Sequence, residues 1–438
     1  MPRVLMLAYY FPPLGGGGVQ RTLKFVQLLP ERGYEPVVVT GPAGRALDWA
    51  PDDDTLAGRV PAGTEILRVA GAEPERTRLT GRLERWARVR SPRTRWWIEG
   101  AVAAGRAAAG SADVIYATMS PFGTAEAAAH LARETGRPWV ADLRDPWALD
   151  EWLVYPSALH RRLELRRMGR VLGSAAAIVM NTPEATAALR RRFPELSATP
   201  VATIPNGFDP DDFAAPPPVR EDAAFRIVHA GWSHAASGRR HERLRAIRGL
   251  LGGATRGLDI LTRSDVYLLE AVRRVRERRP DLDIEVHLAG LDTAPGDIPF
   301  VRPRGYLPHP EMVALLRSAD LLFLPMHDLP AGTRARIVPG KTYEYLAAGR
   351  PILAAVPDGD ARDLLARSGG ALLCRPADVE AMAAAIAAQA ERRRAGDTGP
   401  VPDPALLRAF ERRALTGELA DLLDRVGGSR PAAAELAA

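Results

Sequence analysis

The stretch ARIVPGKTYEYLAAGRP (335–351) admits two readings that belong to different folds. Ala335, four residues, then Gly340-Lys341-Thr342 fits the loose form of the loop that cradles nucleoside triphosphates. Alternatively, Gly340-Lys341-Thr342 opens a helix that offers N–H groups and one ammonium to a phosphate. Glu344 then stands one turn in, where a carboxylate accepts both hydroxyls of a ribose. The triphosphate loop needs a strand, a glycine-rich loop and a helix, with successive N–H groups aimed at phosphates. Here Pro339 has no N–H, residues 336–339 contain no glycine, and the apolar run LLFLP ends well upstream. Gly349 and Pro351 close the helix in the expected way. Against the phosphate-and-ribose reading stands a plain surface pair between Lys341 and Glu344, worth only tenths of a kcal/mol. These residues alone leave those two level.

Outward from this stretch the chain alternates short apolar runs with helical patterns. RVLMLAYY (3–10) reads as a buried parallel strand, FPPLGGGG (11–18) as loop, and VQRTLKFVQLLPERG (19–33) as a helix with apolar spacing at Val19, Leu23, Val26 and Leu29. EPVVVTG, ADVIYATM (112–119), PWVADLRDPW (138–147) and AAAIVMN (175–181) supply further strands, and GTAEAAAHLARETG (123–136) a helix. VATIPNGFDPDDFAAPPPVRED (201–222), rich in Pro and Asp, reads as a linker. The alternation then restarts with FRIVHAG (225–231) and runs to a last helical stretch over 404–426. Alternating strands and helices predict a doubly wound α/β sheet, here twice, with a ligand cleft at the carboxyl ends of the strands.

Composition fits this picture. A chain of 438 residues is long for one core, and 46% hydrophobic with 26% charged residues is ordinary for a globular protein. No apolar run is long enough for a transmembrane helix, and Met1-Pro2-Arg3-Val4 leads straight into a strand rather than a signal peptide. Cys374 is the single cysteine, which excludes an internal disulfide and a cysteine-cluster metal site. The expected compartment is the cytoplasm. The net charge of +6 reflects an arginine-rich composition, since only Lys24 and Lys341 of the 59 basic residues are lysine. A lysine kept against that bias suggests a need for its compact charge, and Lys341 is one of the two.

Other motifs are weaker. The run Gly15–Gly18 fails the dinucleotide fingerprint, because Gln20 or Arg21 falls where the third glycine belongs and Thr40-Gly41-Pro42 replaces the ribose-binding acid. Four glycines at a helix start still make a site for an anion or a sugar phosphate. Asp358-Gly359-Asp360 and Asp209-Pro210-Asp211 have a metal-binding form but read as solvated turns, and the histidines lack ligand spacing. RTRLTGRLERWARVRSPRTRWW (76–97) mixes Arg with Trp. It reads either as a contact for an anionic membrane surface or as an ordinary amphipathic helix near an acceptor cleft.

Seven segments, among them YYFPPLGGGGVQRTLKFVQLLPERGYEPVVVTG, VADLRDPW, VATIPNGFDPDDF, FRIVHAG and PGKTYEYLAAGRPILA, come in the order and rough spacing of family-4 glycosyltransferases. The chain resembles that family over nearly its whole length up to about residue 426. The resemblance implies the GT-B fold, α/β with two facing Rossmann-like domains. Residues 1–212 would be the acceptor-binding domain, 213–403 the nucleotide-sugar-binding domain, 404–426 a helical stretch and 427–438 a mobile tail. It implies transfer of a sugar from a nucleotide diphosphate donor to an unknown acceptor, with retention of anomeric configuration, no metal and no nucleic-acid partner. By position, Gly17 and Gly18 would face the donor pyrophosphate and Arg239 and Arg240 would reach it. Gly340, Lys341 and Thr342 would lie over the phosphates and Glu344 would hold the ribose. Arg144 and Asp145 would line the reaction centre, Arg144 standing where many relatives carry a His. Residues 235–265 look like an Arg- and Gly-rich insertion, which loosens the register of the Arg pair. The family often has a second Glu eight residues before Glu344, and here Arg336 takes its place. Two alternatives therefore stand beside transfer: a sugar-nucleotide epimerase of the same fold, and a non-catalytic binder of sugar nucleotides.

Overall fold

The computed structural model describes residues 1–43, 52–75, 77–290 and 297–427. The strands of the N-terminal half are β1 (Arg3–Leu7), β2 (Glu35–Thr40), β3 (Glu65–Arg68), β4 (Val114–Met119), β5 (Trp139–Leu143), β6 (Ala177–Met180) and β7 (Val201–Thr203). They form one parallel sheet in the order 3-2-1-4-5-6-7. The second sheet contains β8 (Phe225–Ala230), β9 (Ile284–Ala289), β10 (Val301–Gly305), β11 (Leu321–Pro325), β12 (Ile352–Ala355) and β13 (Ala371–Cys374), in the order 10-9-8-11-12-13. Each order reverses direction beside its first strand, so both sheets are doubly wound, as the alternation predicts.

Apolar runs such as Val4–Leu7 and Leu321–Leu324 are buried throughout because helices cover both faces of each sheet. The helix after β1 spans Gly17–Leu28 and tightens into a 3₁₀ turn at Leu29–Arg32. Gly33 ends it with φ +82°, a conformation that costs a glycine nothing. The 201–222 reading needs correcting at its start. Val201–Thr203 is an edge strand paired with β6, and the Pro-rich joint begins only after it. Three residues at a sheet edge carry too little periodicity to announce a strand.

The last helix, Arg412–Gly427, does not stay with the second sheet. Its Leu415, Leu419, Leu422 and Leu423 pack into the N-terminal half against Val4, Met6, Phe25 and Tyr116. A short crossing leads into it. The Phe208 N–H donates to the Phe410 carbonyl at 3.1 Å and the Arg412 N–H to the Phe208 carbonyl at 2.9 Å. The predicted tail, 427–438, loses its first residue to this helix, which runs to Gly427, and residues 428–438 lie outside the described residues. Among the described residues no helix is long and apolar enough to cross a membrane.

The two sheets face one another across their carboxyl ends. Thr182, after β6, donates from Oγ1 to the Arg336 carbonyl at 2.8 Å, and the Glu184 N–H donates to Asp360 Oδ2 at 2.7 Å. Tyr306, after β10, reaches Asp53 Oδ2 with its phenol at 3.2 Å.

Candidate functional site

Helix Gly17–Leu28 points its start into the cleft. Gly16 precedes it with φ +83°, and no side chain caps it. Gly17 is exposed, and an added methyl there would meet no atom within 4 Å. At Gly18 a methyl would lie 3.2 Å from Nη1 of Arg144, whose guanidinium donates to the Gly18 carbonyl. Arg144 also lies over the Tyr10 ring, 5.4 Å from its centroid, and its Nε is 3.9 Å from Asp145 Oδ2. Gly17, Gly18, Arg144 and Asp145 are therefore brought together, with the Asp145 carboxylate half open to solvent.

Asp142, three residues before Asp145, does different work. Arg21 grips it with Nε to Oδ2 and Nη2 to Oδ1, both at 2.9 Å, and Tyr116 adds its phenol. Arg21 further donates to the carbonyls of Ile204 and Pro205. A fully buried ion pair thus ties the glycine helix to β5 and to the joint between the halves.

Across the cleft, β8 ends at Ala230, held by a 2.8 Å bond from its N–H to the Tyr345 hydroxyl. Gly231 follows with φ +137°, and a methyl there would sit 2.1 Å from Lys341 Nζ, so the ammonium needs a glycine beneath it. Lys341 Nζ is 3.5 Å from His229 Nε2. His229 Nδ1 lies 2.9 Å from the Phe323 carbonyl, which only accepts, so Nδ1 carries the proton and Nε2 turns its lone pair to Lys341. Burial, then the Lys341 charge, holds His229 neutral by pushing its pKa well down. Lys341 itself is lowered to about 7, by burial first and the Arg263 charge second, with Glu344 opposing.

Arg263 is a candidate site residue that the sequence reading missed. Its guanidinium stacks 4.7 Å from the centroid of Trp152, which reaches over from the N-terminal half. Arg239 and Arg240 take no such place: both are exposed on helix Ala235–Arg243. The guanidinium whose charge reaches Lys341 comes instead from the far end of residues 235–265. One signal was available. Arg263 lies just before the helix Val266–Arg278, where a cation opposes the helix dipole unless something else recruits it.

Helix Lys341–Ala347 spans only seven residues, so its dipole is small beside the Lys341 charge. Gly340 is exposed, and Thr342 is fully buried with its hydroxyl turned into the protein, which removes Thr342 from the surface offered to a phosphate. Glu344 is partly exposed and accepts from His309 Nε2 at 3.3 Å. Burial lowers the His309 pKa, but Glu344 and then Asp212 outweigh it and the net shift is upward.

Arg336 has a definite task. Its N–H donates to Glu151 Oε1 at 2.9 Å and its Nη1 to the Leu149 carbonyl at 2.6 Å. It fastens the 149–151 segment of the N-terminal half to the second sheet. Beside it, burial and then the Glu151 charge push the Asp150 carboxyl well up from the usual carboxylate range. The Asp-x-Asp turns are less solvated than expected. Asp209 pairs with Lys24, Asp358 faces Arg375, and Asp360 caps Glu184.

A cavity of about 730 Å³ opens in the N-terminal half between helices Arg78–Trp86 and Ala158–Leu172. Phe122, Trp147 and Tyr155 line it together with Arg88, Arg167 and Glu164.

The glycosyl transferase 4-like domain family matches residues 16–207, and the glycosyl transferases group 1 family matches residues 265–391. No curated protein matches the chain by sequence. Among solved structures, HepE of Anabaena in complex with UDP and glucose aligns at 16% identity and a TM-score of 0.61, over 97% of this chain and all of that one. A glycosyltransferase from Rickettsia africae aligns at 9% identity and 0.57, over 97% and 98%. A putative UDP-N-acetylglucosamine 2-epimerase from Listeria monocytogenes aligns at 14% and 0.53, over 96% and 95%. At such identities these likenesses establish the arrangement of the two sheets.

Proposed function

This chain belongs to the family-4 glycosyltransferases of the GT-B fold, and we propose that it moves a sugar from a nucleoside diphosphate donor, held at Lys341, Arg263 and Glu344, to an acceptor approaching from the N-terminal half. The observation that carries the assignment is the pairing of Lys341 with Arg263. Arg263, stacked on Trp152, sets its charge against the buried Lys341 ammonium and lowers its pKa, while Asp150, Asp145 and Glu151 offset the Arg263 charge. A diphosphate beside Lys341 and Arg263 offsets the cost of the buried ammonium. Glu344, one turn further on, suits the ribose hydroxyls. The uridine diphosphate in the HepE complexes makes UDP-sugars the first donors to try.

The chemistry is electrostatic. As the glycosidic bond loosens, charge grows on the leaving diphosphate, and Lys341 and Arg263 stand ready to stabilise it. Gly231 lets the backbone lie close beneath the ammonium. Arg144 and Asp145 line the reaction centre from the opposite side, with the glycine turn fixed by the Arg144 bond to Gly18. Closure of the cleft excludes water and favours transfer over hydrolysis. Retention of configuration and metal independence follow from the family resemblance. NMR of the product anomer tests the first, and turnover in EDTA tests the second.

The decisive experiment incubates the protein with labelled UDP-sugars with and without candidate acceptors, after a thermal-shift screen of nucleoside diphosphates. Ligand at 100 times its Kd adds about 2.7 kcal/mol of stability. Product that requires acceptor supports transfer. An altered sugar formed without acceptor makes the protein an epimerase, and stabilisation without any product makes it a binder.

A further inference from the structure

Helix Arg78–Trp86 is turned inside out. Leu79, Leu83 and Trp86 recur at the spacing of one helical face, yet they are 66%, 46% and 57% exposed, and the only buried residue of the helix is Gly81. Arg78, Arg82 and Arg85 form the stripe alongside and are exposed too. A second such element comes from the other half of the molecule. In helix Arg245–Leu251, Ile247 and Leu250 are 59% and 88% exposed, and exposed arginines at 239, 240, 243 and 245 precede them.

The two elements are neighbours. The Trp86 ring meets His160 edge-on at 5.9 Å, and its carbonyl lies 3.0 Å from His160 Nε2. Two residues before His160, Ala158 approaches Gly252, where a methyl would come within 3.1 Å of its Cβ. The Arg85 charge also reaches Arg248. Most of the large exposed apolar side chains of the described residues thus lie together, inside a field of arginine that includes Arg239 and Arg240.

We propose that this surface, shared between the helix Arg78–Trp86 and the insertion helix Arg245–Leu251, docks on an anionic lipid bilayer. Apolar side chains flanked by arginine give the two signals, acyl-chain burial and attraction to anionic headgroups, that peripheral anchoring needs. A second copy of the chain fits poorly, because self-pairing would set one arginine stripe against another. The surface involves both halves, so docking spans the cleft and restrains how the halves move. The proposal is independent of the donor assignment.

Co-sedimentation of the full chain with vesicles tests it. Binding is expected to vesicles of phosphatidylcholine containing phosphatidylglycerol, to fall with added salt, and to be much weaker with phosphatidylcholine alone. Leu83→Asp and Leu250→Asp are each expected to lower the partition coefficient about tenfold with an unchanged melting temperature, because both side chains are exposed. Leu79→Asp serves the same face should Leu83→Asp fold poorly. Failure to bind the anionic vesicles, equal binding to both kinds, or no effect of Leu250→Asp overturns the proposal. So does self-association that Leu83→Asp abolishes in a protein that ignores vesicles.

Discussion

Lys341 offers the sharpest test at the scale of single residues. Its pKa in the folded chain is lowered from 10.5 to about 7. Between those values the unfolded chain binds more protons than the folded one, so stability rises with pH, and the full cost of the buried charge is present below about pH 7. A bound diphosphate reverses the preference by favouring the charged form. Nucleoside diphosphate binding at pH 8 is therefore expected to take up protons, measured by calorimetry in buffers of different ionisation enthalpy, and Lys341→Ala to abolish the uptake. A charge-assisted bond is worth about 1.5–3 kcal/mol, so Lys341→Ala should weaken the diphosphate about ten- to a hundredfold and leave the nucleoside almost unaffected. Glu344→Ala should weaken both alike. Arg263→Ala should behave as Lys341→Ala does, while Arg239→Ala and Arg240→Ala leave donor affinity unchanged in a titration. Equal losses at 239–240 and at 263 would sink the Arg263 assignment. On the opposite wall, Asp145→Asn should lower kcat strongly with a near-normal melting temperature.

Among elements, the helix Gly17–Leu28 depends on what lies beneath it. Arg21, Asp142 and Tyr116 form a buried network with no solvent to replace a lost partner. Removing one member of a buried pair leaves the other charge uncompensated and costs about 3–5 kcal/mol. Asp142→Ala should accordingly lower the denaturant midpoint far more than Asp145→Asn, a contrast that separates the two acids of VADLRDPW. The end of β8 makes a related demand. Gly231→Ala combines a left-handed backbone with a methyl where Nζ now lies, so donor affinity should fall even in the folded fraction. An unchanged Kd for UDP in Gly231→Ala would show that Lys341 is not held where the donor binds.

For the whole molecule, the last described helix is a strap. Arg412–Gly427 leaves the second half and buries four leucines in the first. Each is worth about 1.5–3 kcal/mol, a combined amount comparable with the stability of a domain. A chain ending at Glu411 is expected to expose the surface around Val4 and Phe25 and to aggregate, as sedimentation would reveal. A monomeric truncated protein with an unchanged melting temperature would refute that role. Arg336 is the other whole-molecule fastener. Arg336→Glu would restore the family's usual residue yet set it beside the buried Glu151, so it should loosen the halves rather than improve catalysis.

Much of this was legible in the chain itself. Buried parallel strands need continuous apolar runs, so β1, β2, β4, β5, β8 and β11 announce themselves, and their alternation with helices fixes two doubly wound sheets. Lys341 and Glu344 could be read together because one helical turn separates them. Short edge strands such as β7 were hidden, since three residues carry no period. Arg263, Glu151 and the docking of the last helix were hidden for a different reason. Their partners lie far away in sequence and meet only when the halves close, so nothing local constrains them. The expected arginine pair at 239–240 lies on an exposed helix, and only the packed structure brings the Arg263 charge to Lys341 and sets Arg336 against Glu151 and Leu149.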